Sequence, residues 1–281
     1  MTEVTVPAAQ PTREPGDLSD AISVDGVSKF FDLDRRRKFQ ALSGVSFHIR
    51  AGEFCTLIGP SGCGKSTLLR LMAGLIEPTE GRILVGSTTP SAARAARKFG
   101  FVFQDAVLLP WRSALENVEL PMAIAGVVKK HRRERARELL ELVGLADFQD
   151  TRPAQLSGGM ARRVAIARAL GLNPRIIMLD EPFGALDEIT RQRMNVELQR
   201  IWSAERCTAV LVTHNVGEAV FLSDRVLVMA ANPGRVVAER VIDLPRPRTL
   251  EMLADQRFFQ HTTELSKMLL AEPGGADAIG T

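Results

Sequence analysis

Gly59-Pro60-Ser61-Gly62-Cys63-Gly64-Lys65-Ser66-Thr67 fits G-x-x-x-x-G-K-[ST], the pattern of a phosphate-cradling P-loop. The apolar run Phe54-Cys55-Thr56-Leu57-Ile58 before it is long enough for a buried strand. Leu68-Leu69-Arg70-Leu71-Met72-Ala73 after it is a strong helix former, stopped at Gly74. Strand, glycine-rich turn and helix are the context that gives this motif its meaning. Glycines let the backbone curl so that several N–H groups face one anion, and the helix N-terminus adds positive potential there. Lys65 can reach the β- and γ-phosphates of a nucleotide, and the Ser66 hydroxyl can ligate Mg²⁺.

Working outward, apolar and β-branched runs alternate with helical segments. Ile22 to Val27 and Val45 to Ile49 alternate apolar with polar residues, as half-buried strands do; Ile83-Leu84-Val85 and Phe99 to Phe103 are further strands. From Leu115 to Val143 the pattern turns helical, with Ala136, Leu139, Leu140 and Val143 on one face. Ser157 is a good N-cap for a helix from Ala161 to Leu170. Strands return at Arg175–Asp180, Ala209–Thr213 and Arg225–Met229, with helices at Arg191–Trp202 and around Glu218–Leu222 between them. This order predicts an α/β fold with a mostly parallel, buried sheet and an inserted α-helical subdomain at about 112–168. Residues 1–20, rich in Pro, Glu and Asp, read as a disordered tail; 21–243 form the main domain; 244–281 form a C-terminal tail, helical from Phe258 to Leu270.

The 281 residues suit one large domain or a domain with subdomains. A net charge of +3 makes no global case for nucleic-acid binding, and the clusters Arg35-Arg36-Arg37-Lys38 and Lys129-Lys130-His131-Arg132-Arg133 read as solvated faces. Cys55, Cys63 and Cys207 lack metal-type spacing and suggest packing roles in a reducing compartment. No apolar run is long enough to span a bilayer, so a membrane process would need a separate spanning partner.

Four more stretches narrow the chemistry. Ile176 to Glu181 is a buried strand ending in two acids, the Walker B pattern: Asp180 can hold the Mg²⁺ shell and Glu181 can polarise a water. Leu156-Ser157-Gly158-Gly159-Met160, Gly184-Ala185-Leu186-Asp187 and Thr213-His214 resemble the ABC signature, the D-loop and the switch histidine. Together with the P-loop and Gln104, in their expected order and separation, they make the chain resemble an ABC transporter nucleotide-binding subunit over roughly Ile22 to Asp243. That resemblance implies an α/β fold with a P-loop NTPase (RecA-like) core, a mostly parallel sheet, an antiparallel β subdomain and an inserted α-helical subdomain.

The resemblance implies roles for matching residues. Phe31 sits where the family stacks an aromatic on adenine, with Phe30 as a rival and a core role the alternative for either. Gln104 would contact Mg²⁺ and the attacking water, and His214 the γ-phosphate. Gly59 through Thr67 would bind the phosphates of ATP. Ser157, Gly158, Gly159 and Asp187 belong to the nucleotide site, the signature acting on ATP held by a second copy, so the active site is complete only in a dimer. Permease subunits and, indirectly, a substrate-binding protein are the implied partners, with no nucleic acid; the place is the cytoplasmic face of the plasma membrane, peripherally. Met160 stands where Gln is commonest. That, with Val107-Leu108-Leu109-Pro110-Trp111 and Asp243-Leu244-Pro245-Arg246-Pro247-Arg248, resembles importers for nitrate, sulfonates and taurine. The alternatives are a soluble ABC ATPase of DNA repair or translation, which usually carries coiled coils or tandem cassettes, and a P-loop kinase, which leaves the signature, Gln104 and His214 unexplained.

Overall fold

The structure is a computed structural model and describes residues 20–32, 37–184 and 186–271. The expected disordered tail before Asp20, Arg35 and Arg36 of the first basic cluster, Ala185 of the D-loop stretch and the Gly-rich end lie outside the described residues. In chain order the strands are β1 (Asp20–Asp32), β2 (Lys38–Arg50), β3 (Phe54–Ile58), β4 (Glu80–Val85), β5 (Phe99–Val102), β6 (Ile176–Asp180), β7 (Thr208–Thr213), β8 (Arg225–Ala230) and β9 (Arg235–Val241). The helices are α1 (Lys65–Met72), α2 (Pro90–Ala95), α3 (Ala114–Ile124), α4 (Lys129–Leu142), α5 (Gly158–Leu170), α6 (Glu188–Glu205), α7 (Val216–Leu222) and α8 (Gln256–Leu270).

One sheet, ordered β2-β1-β4, is antiparallel; Val24 lies opposite Phe47 on one side and Ile83 on the other. Its alternation turns Ile22, Val24, Leu42, Val45 and Ile49 inward, where they share an apolar cluster with Cys55 and Leu57 of β3. The other sheet runs β5-β6-β7-β3-β8-β9, parallel except for the β8–β9 pair. Every residue of β3, β6, β7 and β8 is buried, as a sheet covered on both faces requires. The carboxyl ends of β3, β6 and β7 lead into the P-loop, Glu181 and His214, so the parallel order gathers the candidate site at one sheet edge.

Helices α3, α4 and α5 pack on one another through Val118, Met122, Ala136, Leu139, Leu140 and Val164. The helical stretch from Leu115 to Val143 is broken at Ala125-Gly126, where Gly126 takes φ +81° and turns the chain into α4. Helix α5 starts at Gly158 rather than Ala161, because Ser157 accepts the Met160 N–H and closes the first turn early. Strand β9 has no counterpart in the sequence reading: it is a half-exposed antiparallel edge with no clean alternation. Helix α8, expected in a tail, turns Phe258, Leu265 and Leu269 into the main core.

Candidate nucleotide site

The P-loop joins β3 to α1. Gly62 and Gly64 take φ +77° and +93°, values that L side chains rarely adopt. A Cβ on Gly59 would lie 2.5 Å from the Met229 carbonyl oxygen, so the backbone passes β8 too closely for any side chain. Gly64 begins α1 with no side-chain cap, which leaves the first N–H groups of that helix for a ligand. Lys65 is buried, and its Nζ donates to the carbonyls of Gly59 (2.8 Å) and Pro60 (2.9 Å). The cation is thus held over the concave side of its own loop.

From β6 comes Asp180, buried at the strand end, whose Oδ1 accepts from Ser66 Oγ at 2.7 Å. Burial pushes the Asp180 carboxyl up, while the Ser66 bond and Arg70 oppose it. Glu181 follows with φ +44°, an uncommon backbone for this residue, held by a bond from its own N–H to Val212 O at 2.9 Å. That turn aims its carboxylate at His214, with Nδ1 to Oε2 at 3.4 Å. The His214 bond holds the Glu181 carboxyl below its ordinary value, against the effect of burial, and the same bond raises the imidazole. Both side chains stay partly exposed, so a ligand can reach them.

Gln104 is exposed two residues after the end of β5, and the backbone of its loop is clasped from α5: Arg162 donates to Phe103 O and Gln104 O, Arg168 to Ala106 O and Val107 O. Phe31 is 38% exposed at the end of β1, opposite Phe39 and beneath the Lys29 ammonium, whereas Phe30 is half-buried. Leu42, opposite Lys29, touches Gly64, so the same end of the antiparallel sheet borders the P-loop.

The structure therefore gathers Lys65, Ser66, Asp180, Glu181 and His214. Ser157 and Gly158 instead lie exposed at the start of α5, where the Ser157 hydroxyl caps its own helix. Asp187 likewise caps α6, accepting from Thr190 N–H at 3.0 Å, and that bond lowers its carboxyl. Sequence reasoning missed Arg162, Arg168 and Glu218. Glu218, on the first turn of α7, is buried and accepts from Thr213 Oγ1 at 2.5 Å, beside His214. Arginines spaced along a helix named no partner; only the fold shows which carbonyls they reach.

The family model described as ABC transporter matches residues 42–184. The aliphatic sulfonates import ATP-binding protein SsuB of Bacillus cereus is 40% identical over 84% of this chain and 92% of its own length. The nitrate import ATP-binding protein NrtD of Synechocystis is 42% identical over 88% and 94%. The taurine import ATP-binding protein TauB of Rhizobium johnstonii is 43% identical over 86% and 97%. A dimeric structure of a post-hydrolysis state of the ATP-binding cassette MJ0796, bound to ADP and Pi, superposes with a TM-score of 0.68 at 35% identity, covering 80% of this chain and all of that one. The α/β fold with its P-loop at the end of β3 and the matched family model lead to one conclusion: the chain belongs to the ABC transporter family, as one of its ATP-binding ATPases.

Proposed function

We propose that this protein hydrolyses ATP as a dimer at the cytoplasmic face of the plasma membrane, driving import of a small anion such as nitrate, a sulfonate or taurine through a separate permease supplied by a substrate-binding protein. One observation carries the hydrolytic reading: Lys65, the Ser66–Asp180 pair and the Glu181–His214 pair meet at one sheet edge, while the signature Ser157 faces solvent on another helix. A second copy can bring its own Ser157, Gly158, Gly159 and Asp187 to the nucleotide.

The backbone N–H groups of the P-loop and Lys65 would bind the phosphates, with Phe31 against adenine. Ser66 and Asp180 present hard oxygen donors 2.7 Å apart, a set that fits Mg²⁺, with Gln104 available as a further oxygen ligand. Mg²⁺, when bound, would neutralise charge on the β- and γ-phosphates. Water attacks the γ-phosphorus, its proton passes to the Glu181 carboxylate, and the bond to the β–γ bridging oxygen breaks, leaving ADP and phosphate. The pair with His214 keeps Glu181 ionised and ready to take that proton. When His214 turns its N–H to the γ-phosphate, that restraint is lost and the carboxylate becomes a stronger base.

The substrate class rests on the names of the relatives together with Met160 and the Asp243–Arg248 stretch. These import proteins give no support to a role in DNA repair or translation. Among the described residues no helix is long and apolar enough to cross a membrane, which agrees with a separate permease. Deleting the gene should impair growth on one of these anions as sole nitrogen or sulfur source. Normal growth on all of them, with a defect on a sugar or peptide, would overturn the substrate assignment.

A further inference from the structure

The hydrolytic chemistry leaves Leu244-Pro245-Arg246-Pro247-Arg248 without a role. In the fold this segment lies across the C-terminal end of α7. Arg248 is buried, and its Nη1 donates to the carbonyls of Val220 (2.7 Å), Phe221 (3.0 Å) and Ser223 (2.8 Å). Arg246 donates from Nη2 to Leu222 O at 2.6 Å and from Nε to Asp224 Oδ1 at 2.9 Å, with its guanidinium 4.5 Å from the ring centre of Trp202 on α6. These are the carbonyls that a helix leaves unpaired at its C-terminus, where its dipole also favours cations. A helix of seven residues is too short to be firm on its own; two guanidiniums on its end make it so.

The strap is itself held by α6. Gln199 donates from Nε2 to Arg248 O and accepts the Arg248 N–H on Oε1, both at 2.9 Å. Helix α6 starts at the Asp187 cap, so the strap joins the helix leaving the D-loop to the helix that follows His214. At the other end of α7, both neighbours of His214 are tied to the first turn. Asn215 Oδ1 accepts the Glu218 N–H at 2.8 Å, and Glu218 Oε2 accepts from the Thr213 hydroxyl. Strap, α7 and switch segment thus form one continuous hydrogen-bonded body ending at the imidazole.

We propose that Arg246 and Arg248 are positioning residues for His214: by pinning the C-terminal end of α7 to α6, they hold the imidazole in register with Glu181 and the γ-phosphate. This rests on the reading of His214 as the γ-phosphate contact. The geometry must be kept closely, since a displacement of about 1 Å at a reacting group can cost up to about a hundredfold in rate.

The test uses the full chain and compares Arg248→Met, Arg248→Lys, Arg246→Met and Gln199→Met with His214→Ala. Ile22→Ala, in the antiparallel sheet, serves as a stability control. Melting temperature, kcat, KM and the Kd of a fluorescent ATP analogue are measured for each. The strap variants should lose about tenfold in kcat with KM and Kd within about twofold, and Arg248→Lys should recover part of the loss. Ile22→Ala should melt lower yet keep its turnover below its melting range. Strap variants that, like Ile22→Ala, melt lower but keep their turnover below their melting range would overturn the proposal. Full turnover in His214→Ala would remove the histidine reading, and the strap proposal with it. A dead His214→Ala beside normal strap variants would remove the strap proposal alone. If Arg248→Met does not fold, Arg246→Met at the partly exposed arginine and Gln199→Met decide the matter.

Discussion

Glu218→Gln should make the protein more stable at alkaline pH and flatten its pH dependence. Glu218 is 2% exposed, and burial pushes its carboxyl up to about 7, against the Thr213 hydroxyl, Arg191 and His214, which favour the charged form; Glu181 adds to the rise. Its Oε2 accepts from Thr213, but its Oε1 has no partner among the described residues. Among the described residues Asn195 Oδ1 also lacks a partner, and both residues line one cavity of about 30 Å³ between α6, α7 and the turn at Leu250–Ala254. Two acceptors facing one small space need a donor, which a proton on Glu218 or a bound water supplies. The sign follows from linkage. The folded value lies above the unfolded 4.5, so this group's contribution is fully present below about 4.5, declines as pH rises, and is lost above about 7. At 1.36 kcal/mol per pH unit, the displacement corresponds to about 3 kcal/mol. Glutamine cannot ionise, keeps an acceptor for Thr213, and offers an N–H to the cavity. Urea unfolding of wild type and Glu218→Gln should therefore nearly coincide at pH 4.5 and diverge by about 2–3 kcal/mol in the variant's favour at pH 8. Both proteins retain His214, whose own titration is removed to first order by taking the difference. Parallel stability profiles from pH 4.5 to 8, or a variant less stable at pH 8, would refute the reasoning.

Two further substitutions probe the loop itself. Lys65→Ala removes the buried cation and should weaken binding of a fluorescent ATP analogue about tenfold or more, the loss of a charge-assisted bond costing about 1.5–3 kcal/mol; equal affinities would exclude this loop as the site. Gly59→Ala places a Cβ 2.5 Å from Met229 O and 2.8 Å from Cys63 Sγ, so overpacking should lower stability by about 1–3 kcal/mol, read as a lower melting temperature; an unchanged melt would contradict the close approach of loop and β8.

The parallel core was legible because its strands are short apolar runs followed by glycine or acid, a pattern written locally at Phe54–Gly59 and Ile176–Glu181. Strand β9 was not, because Arg235-Val236-Val237-Ala238-Glu239-Arg240-Val241 lies on an exposed edge and needs no strict alternation. The candidate site was nameable from motifs, yet their contacts were not. Glu181 and His214 meet only because β6 and β7 are neighbours, and neither residue marks the other. The strap was less legible still: Pro-Arg-Pro-Arg predicts an extended segment, and its partners are backbone carbonyls, which carry no residue identity. The sequence marks Glu218 only as part of a short helix, and its burial follows from packing under the turn at Leu250–Ala254.

Hydrolysis in a shared dimeric site is tested most directly with Glu181→Gln, which keeps size and hydrogen bonding but removes the base. Phosphate release and mass by light scattering are measured with and without Mg-ATP, for wild type and variant. The reading predicts that ATP still binds, that phosphate release slows by about 10²–10⁴-fold, and that the variant accumulates as an ATP-stabilised dimer. Wild-type turnover in Glu181→Gln would contradict it.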